Sequence, residues 1–319
     1  RDDVAMNILL TGGTGFIGSL LLPTLLGPSE LGGGHRVTVL TRRPAKFSLR
    51  HQEAIACEQL RVIGTLQELT PNDVYDAVIN LAGEGIADKP WTAQRKRELR
   101  DSRVTLTEEL VEWIRRAKRK PLVLISGSAV GWYGSQGNKV LEEGALPHVE
   151  YVHELCRDWE QAAAAAEAHG LRVCLLRTGV VIGSGGGMLR KLLPLFGLGL
   201  AGQLGSGQQY LSWISLTDVV QIILRLLNDR ELHGAFNATG PRPVTNAEFT
   251  QTLARLLRRP AFLRLPASVL KMAMGEMSTL LLDGQRVVPS RLLQAHHSFQ
   301  HSSLEDALRA ALRQHRHAD

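Results

Sequence analysis

Cysteine is scarce in this chain, and long apolar runs are missing. Cys57, Cys156 and Cys174 are the only cysteines among 319 residues, odd in number and widely spaced. They form no metal-ligand pattern, a disulfide framework is not expected, and a reducing compartment, the cytoplasm, is the expectation. No apolar run reaches the ~18 residues that a membrane-spanning helix needs. The first residues lack the charged-then-apolar layout of a secretory signal, and Met6 reads as the natural start.

What is present is the composition of an ordinary globular protein, with 44% apolar and 21% charged residues. The length allows one large α/β unit or two modest domains. A formal net charge of +6 raises nucleic acid as a partner. The densest basic stretch, from Arg95-Lys96-Arg97 to Arg115 through Lys120, alternates with Glu98, Asp101, Glu108, Glu109 and Glu112. That pattern is a solvated helical face rather than a phosphate track, so neither nucleic acid nor membrane is expected as a partner.

Strand-like and helix-like segments alternate along the first half. Strands are expected at residues 7–10, 36–40, 61–63, 77–81, 122–126 and 172–176, and longer helices at 16–26, 93–118 and 149–168. This alternation predicts an α/β fold, a doubly wound parallel sheet of the Rossmann type. Several strands are nearly continuous apolar runs, as strands buried on both faces should be. From Gly183 to Gly207 nine glycines interrupt the pattern. A domain boundary is therefore expected after residue 182, with a smaller, mainly helical C-terminal domain over 183–319. The helix and strand within 216–238 are expected to return to the first domain. Further helical patterns fall at 246–257, 266–274 and 304–312.

Thr11-Gly-Gly-Thr-Gly-Phe-Ile-Gly18, entered from the apolar run 6–10, reads as strand, tight turn and helix start. Gly12 permits the turn, Gly15 lets backbone approach a pyrophosphate, and Gly18 lets the helix pack close to the sheet. Free N–H groups at the helix start would face the phosphates. Gly12, Thr14, Gly15, Phe16, Ile17 and Gly18 are the cofactor contacts expected here.

A fold of this kind that selects NAD carries an acidic residue at the end of its second strand, against the ribose 2′-hydroxyl. Here that strand ends Val39-Leu40-Thr41-Arg42-Arg43, with no carboxylate. A guanidinium suits a 2′-phosphate, so NADP(H) is the expected cofactor, with Thr41 and Arg42 as contacts. The alternative is that Arg42 and Arg43 merely cap a strand at the surface. Arg103 falls on the inward stripe Leu99, Leu106, Leu110, Ile114, where a charge needs a partner. A cofactor phosphate and an internal carboxylate are equal candidates. Leu81, Ala82 and Gly83 end the fourth strand where cofactors lie and complete the expected contacts on that side.

The chain resembles an extended short-chain dehydrogenase/reductase. The resemblance rests on the glycine turn, Asn80-Leu-Ala-Gly83, Ser126-Gly-Ser-Ala-Val-Gly-Trp-Tyr-Gly134, Arg177-Thr-Gly-Val-Val181, Trp213 through Asp218, and Asn237-Ala-Thr-Gly-Pro241. It is similar more closely to the bacterial epimerase family protein branch, also described as cell-division-inhibitor-like. That likeness is carried by Leu81 through Trp91, Cys156-Arg-Asp-Trp-Glu160, Gly205 through Tyr210, and Asp283-Gly-Gln-Arg286. It runs from Met6 nearly to the C-terminus, implies NADP(H) binding, adds Val181 to the cofactor contacts, and leaves the substrate unassigned.

The superfamily's chemistry, as the resemblance implies it, uses a serine, a tyrosine and a lysine four residues after the tyrosine. Ser128 takes the serine position. Aligning the superfamily's helix glutamate with Glu160 puts Val152 at the tyrosine position and Cys156 at the lysine position, so the dyad is absent. Tyr151 is one residue off, about 100° around the helix, and no lysine in that helix activates it. Tyr133 is the first candidate for a substitute proton donor. Cys156 is the next, though a small buried hydrophobe is its commoner role. His153 is expected at the surface, and Glu84 either projects over the cofactor or caps a loop. The expected function is an NADP(H)-dependent oxidoreductase or epimerase-like enzyme acting on an unidentified small molecule. The competing expectation is a non-catalytic NADP(H)-binding module that acts through a protein partner. No metal site is expected.

Overall fold

Seven parallel strands form the centre of the molecule in this computed structural model, which describes residues 4–316. They are β1 (Asn7–Thr11), β2 (Arg36–Leu40), β3 (Leu60–Ile63), β4 (Ala77–Asn80), β5 (Val123–Ala129), β6 (Arg172–Thr178) and β7 (Gly234–Ala238). Their order across the sheet is β3-β2-β1-β4-β5-β6-β7, and every pairing is parallel. The order reverses between β1 and β4. In such sheets that switch point opens a crevice beyond the C-terminal strand ends, where ligands bind.

The register follows from alternation. Ile8 and Leu10 face one layer of helices and Leu9 the other, and all three are fully buried. On the first face they meet Leu21, Leu22 and Leu25 of α1 (Gly18–Leu26) and Val219, Ile222, Ile223 and Leu226 of α6 (Leu216–Asn228). On the second face Leu9, Val78, Leu124 and Val173 meet Leu110, Trp113 and Ile114 of α3 (Leu106–Arg116) and Ala163 of α4 (Tyr151–Ala164). Each such leucine or isoleucine stabilises the fold by roughly 1.5–3 kcal/mol relative to exposure. The layering is that of the expected doubly wound sheet.

Helix α2 (Ala93–Arg100) runs into α3 through a π turn, Asp101–Thr105, that carries Arg103. The expected helix over 93–118 is thus one rod with one wide turn. Strand β5 extends to Ala129, beyond the expected end at residue 126, and so holds Ser128 within the sheet. Two short helices after β2, Pro44–Arg50 and Gln52–Ala56, were not expected from the sequence.

Helices α5 (Gly187–Gly197), α7 (Asn246–Leu257) and α8 (Leu304–Arg316) build a separate core, with Trp213, Phe249, Leu253 and Leu308 at its centre. Among the described residues no helix is long and apolar enough to cross a membrane.

Candidate cofactor and substrate cleft

The glycine turn sits at the switch point. Gly12 has φ +73°, and a Cβ there would lie 2.4 Å from the Leu81 carbonyl carbon. A side chain is excluded on both counts, so β1 and the end of β4 approach as closely as backbone allows. At Gly18 a Cβ would lie 2.5 Å from the Gly12 oxygen, so the helix start lies directly on the turn. No side chain caps the N-terminus of α1, and its first turn holds no acidic residue. Ser19 and Leu20 donate to the Gly15 and Ile17 carbonyls, and the partial positive charge of this helix start favours an anion before it. Thr14 and Gly15 are exposed at the turn and Phe16 and Ile17 are half-buried beside it. The Phe16 ring fills the space beside Gly183, Gly186 and Gly187, where Cβ atoms would lie 2.5–3.0 Å from its carbons. The glycines of that later loop make room for the ring.

Behind the turn lies a buried polar ladder. Thr11 donates to Asn80 Oδ1 at 2.6 Å, Asn80 Nδ2 reaches Thr107 and Ser126, and the Ala82 N–H donates to Thr11 Oγ1 at 3.2 Å. This ladder fixes Leu81, Ala82 and Gly83, all with some exposed surface, at the strand ends. Val181 is half-buried in a short strand, Val180–Ile182, that pairs with Trp213–Ser215.

Thr41 is buried at the end of β2, and the Arg42 side chain stands 87% exposed beside it. Arg42 Nη1 pairs with the Glu84 carboxylate, whose other oxygen lies 3.6 Å from Arg95 Nη1. Glu84 is therefore the counter-ion of two arginines on different elements, not a loop cap. Arg103 has no carboxylate partner among the described residues, so of the two expected partners the internal carboxylate is not found. It donates to the backbone carbonyls of Glu84 at 2.7 Å and Leu99 at 3.3 Å, and its guanidinium lies 5.3 Å over the Trp159 ring.

Around Ser128 the structure moves Tyr133 and His153 from where the sequence put them and shows what Ser128 itself is bonded to. Tyr133 is fully buried, donating to Asn237 Oδ1 at 2.6 Å and accepting from Arg177 at 3.2 Å. Burial, the largest influence, holds its phenol above the ordinary tyrosine range. Its hydroxyl is bonded on both sides within the core, so Tyr133 packs beneath the cleft in this structure. His153 is buried, with Nδ1 against the Trp132 carbonyl, rather than placed at the surface. The helical stripe misled there because the loop 130–133 covers the helix. Ser128 donates its one hydroxyl proton to Glu160 Oε1 at 2.7 Å, and Glu160 in turn holds Arg177. The Ser128 hydroxyl therefore meets a ligand as an acceptor.

Val152 lies under Gly131, where a Cβ would stand 2.3 Å from Val152 Cγ1. Cys156 is buried beside it, its thiol pushed up to about 12, first by desolvation and then by Glu160. It is a neutral thiol at physiological pH. Tyr151 packs edge-on against Trp91, 5.0 Å between ring centroids, and Lys96 Nζ lies 4.2 Å over its ring. Sequence reasoning passed over this cluster, although Trp91, Lys96 and Tyr151 were all in view. Asp218, in the first turn of α6, has a structural part that its place at a helix start did not reveal. Its buried carboxylate accepts from Ser215 and from the N–H groups of Gln300 and His301, and so anchors the C-terminal segment.

Across the cleft, Lys96 pairs with Glu276 at 2.6 Å and Lys191 with Asp88 at 3.0 Å. These bridges tie the 84–91 loop and α2 to segments of the C-terminal part. Among the described residues no cluster could hold a metal ion.

The NAD dependent epimerase/dehydratase family matches residues 8–239, and a domain of unknown function, DUF1731, matches residues 265–311. The epimerase family protein Mb2239 of Mycobacterium bovis is 40% identical over 304 residues, covering 94% of this chain and 96% of that protein. The Arabidopsis thaliana epimerase family protein SDR39U1 homolog, described as chloroplastic, is 36% identical, covering 98% of this chain and 88% of that one. The crystal structure of human epimerase family protein SDR39U1 with NADPH superposes with a TM-score of 0.84 at 31% identity. It covers 97% of this chain and 99% of that one.

Proposed function

Since the chain belongs to the NAD dependent epimerase/dehydratase family, we propose that it binds NADP(H) at the β1–β4 crevice and uses it on a small-molecule carbonyl or alcohol. One observation carries the reading. The start of α1 is uncapped, free of carboxylates, and set at the switch point of the sheet behind a turn that admits no side chain. Such an end is built for a phosphate.

The residues fit the group. Gly12, Thr14, Gly15, Phe16, Ile17 and Gly18 cradle the pyrophosphate. Arg42, with Thr41 beside it, takes the 2′-phosphate. Leu81, Ala82, Gly83 and Val181 border the cofactor on the sheet side. Arg103 stands behind Gly83, where a Cβ would lie 3.1 Å from its Cζ, so it supports that backbone and faces the cleft from α2–α3. The human relative crystallised with NADPH supports this choice of cofactor.

When bound, the cofactor supplies or accepts a hydride. What this chain adds is orientation and proton handling. Ser128 accepts a hydrogen bond from a substrate hydroxyl while its own hydroxyl proton stays directed at the Glu160 carboxylate. The ordinary tyrosine–lysine dyad is absent, Val152 and Cys156 standing in its positions, and Tyr133 is withdrawn from the cleft. The proton must therefore come from another group.

Titration of the protein with NADPH and NADH, followed by nicotinamide fluorescence, tests the binding. NADPH should bind at least tenfold more tightly. Equal affinity would overturn the cofactor assignment. Oxidation of bound NADPH by a small-molecule extract of bacterial cells then tests turnover. A cofactor that stays reduced across a broad extract would favour a binding module over an enzyme.

A further inference from the structure

Five buried side-chain nitrogen or oxygen atoms among the described residues lack a hydrogen-bond partner: Arg95 Nε, Tyr151 Oη, Trp159 Nε1, Thr239 Oγ1 and His297 Nε2. The first three belong to side chains gathered about Arg103. Its guanidinium lies over Trp159 and within electrostatic reach of Arg95, Tyr151 and Cys156. A buried donor left unpaired costs about 1–3 kcal/mol, and native structures carry few of them. Three around one cation mark a place where a ligand completes the hydrogen bonding. Arg Nε and Trp Nε1 only donate, so the missing partner is rich in oxygen acceptors, as a carbonyl, hydroxyl or carboxylate compound is.

Of the three, only the tyrosine hydroxyl can both bind such an oxygen and release a proton to it. We propose that Tyr151 is the proton donor of this cleft, and that Arg103, reaching in from the neighbouring helix, stabilises its phenolate in place of a lysine on its own helix. The proposal rests on the oxidoreductase reading above. In the reductive direction the substrate oxygen takes the Tyr151 Oη proton while the carbonyl carbon takes the hydride that reduced nicotinamide provides. The C=O double bond becomes a C–O single bond, the phenolate stays within the electrostatic reach of Arg103, and water restores its proton.

Arg103 lies in the π turn between α2 and α3. That turn widens the rod where Arg103 sits, and the guanidinium lies over Trp159 of α4. The charged groups facing Tyr151 are Lys96 and Arg95 from α2, Arg103 from the π turn and Glu276 from the C-terminal part. Burial raises the phenol's pKa and is the largest influence. Arg103 and Arg95 draw it down, and Glu276 raises it. Bound between these groups, the phenol stays protonated until a substrate oxygen draws the proton away.

Tyrosinate absorbance tests the pairing without any substrate. The difference between wild type and Tyr151→Phe isolates the titration of Tyr151, and the measurement is repeated in Arg103→Gln and Arg103→Lys. Removing the cation should raise the Tyr151 pKa by about one unit, a tenfold loss of ionisation. Arg103→Lys should recover most of it. Titration curves that coincide in wild type and both Arg103 variants would overturn the proposal. NADPH affinity, read in parallel by fluorescence, should be unchanged in Tyr151→Phe, while turnover with the cell extract falls about 10²–10⁴-fold. Wild-type turnover in Tyr151→Phe would also overturn it. Failure of the wild-type protein to bind NADPH would instead remove the cofactor reading and leave the titration result standing.

Discussion

Arg177 grips Glu160 through both carboxylate oxygens, Nε to Oε1 at 2.8 Å and Nη2 to Oε2 at 3.0 Å, with both side chains more than nine-tenths buried. The pair joins β6 to α4, and Ser128 of β5 completes it. Taking one partner away strands a buried charge, which costs about 3–5 kcal/mol. Arg177→Met should lower unfolding free energy by that amount in a urea titration. The double variant Arg177→Met/Glu160→Leu should recover part of the loss, since it buries no lone charge.

Tyr133 hangs on the same network, bonded to Asn237 and Arg177. Tyr133→Phe should cost about 1–3 kcal/mol of stability, because it leaves Asn237 Oδ1 without its donor. NADPH affinity should not move. A loss of turnover beyond what thermal stability explains would return Tyr133 to the reaction.

Arg42 is exposed and paired with Glu84. Charge-assisted bonds from a guanidinium to phosphate contribute about 1.5–3 kcal/mol. Arg42→Ala should therefore weaken NADPH binding by roughly 10–100-fold and leave NADH nearly untouched. Isothermal calorimetry with both nucleotides decides this.

With a 2′-phosphate on Arg42, as proposed above, Glu84 would compete for the same guanidinium. An exposed ion pair is worth about 0.2–1 kcal/mol, so Glu84→Gln should tighten NADPH binding by up to about fivefold, most visibly at low salt. Weaker binding would mean that the carboxylate orders Arg42 for the cofactor rather than restraining it.

The three thiols should separate by reactivity. Cys57 is exposed, whereas Cys156 and Cys174 are buried, with burial the first cause that pushes their thiols up to about 12 and about 11. One thiol per chain should react with a disulfide reagent at neutral pH, and three after unfolding. Both buried groups hold their protons more tightly folded than unfolded. Their contribution to stability is complete below pH 9, the unfolded value, and is lost as pH rises through about 11 to 12.

The strands of the sheet and the phosphate turn were legible because they are local, whereas the strand order came only with the structure. Alternation of apolar runs sets the strands, and Gly12 and Gly18 mark close approaches that no side chain survives. The reaction centre was less legible. Ser128 and Cys156 were named from the sequence, but nothing in it says that Glu160 accepts from both Ser128 and Arg177, which lie 32 and 17 residues from it on two strands. His153 was misplaced because the short loop 130–133 folds back over α4, a tertiary contact that helical periodicity cannot reveal. Tyr133 of that loop is buried by Leu141 and by Val287 and Asn237, the last two distant in sequence. Arg103 read correctly as an inward charge, yet its partners are backbone carbonyls, which carry no residue identity to search for.

The wide turn at Asp101–Thr105 has a consequence for how this protein can vary. A π turn holds one residue more than an α turn, so it acts as a phase slip between two stretches of one rod. Downstream, Leu110 and Ile114 keep the face that packs the sheet. Upstream, Arg95 and Lys96 keep a separately phased face toward the cleft. Losing one residue at the slip would leave the rod helical but rotate its upstream half by about 100°, swinging Lys96 off Tyr151. Such a deletion would retune recognition while sparing the fold.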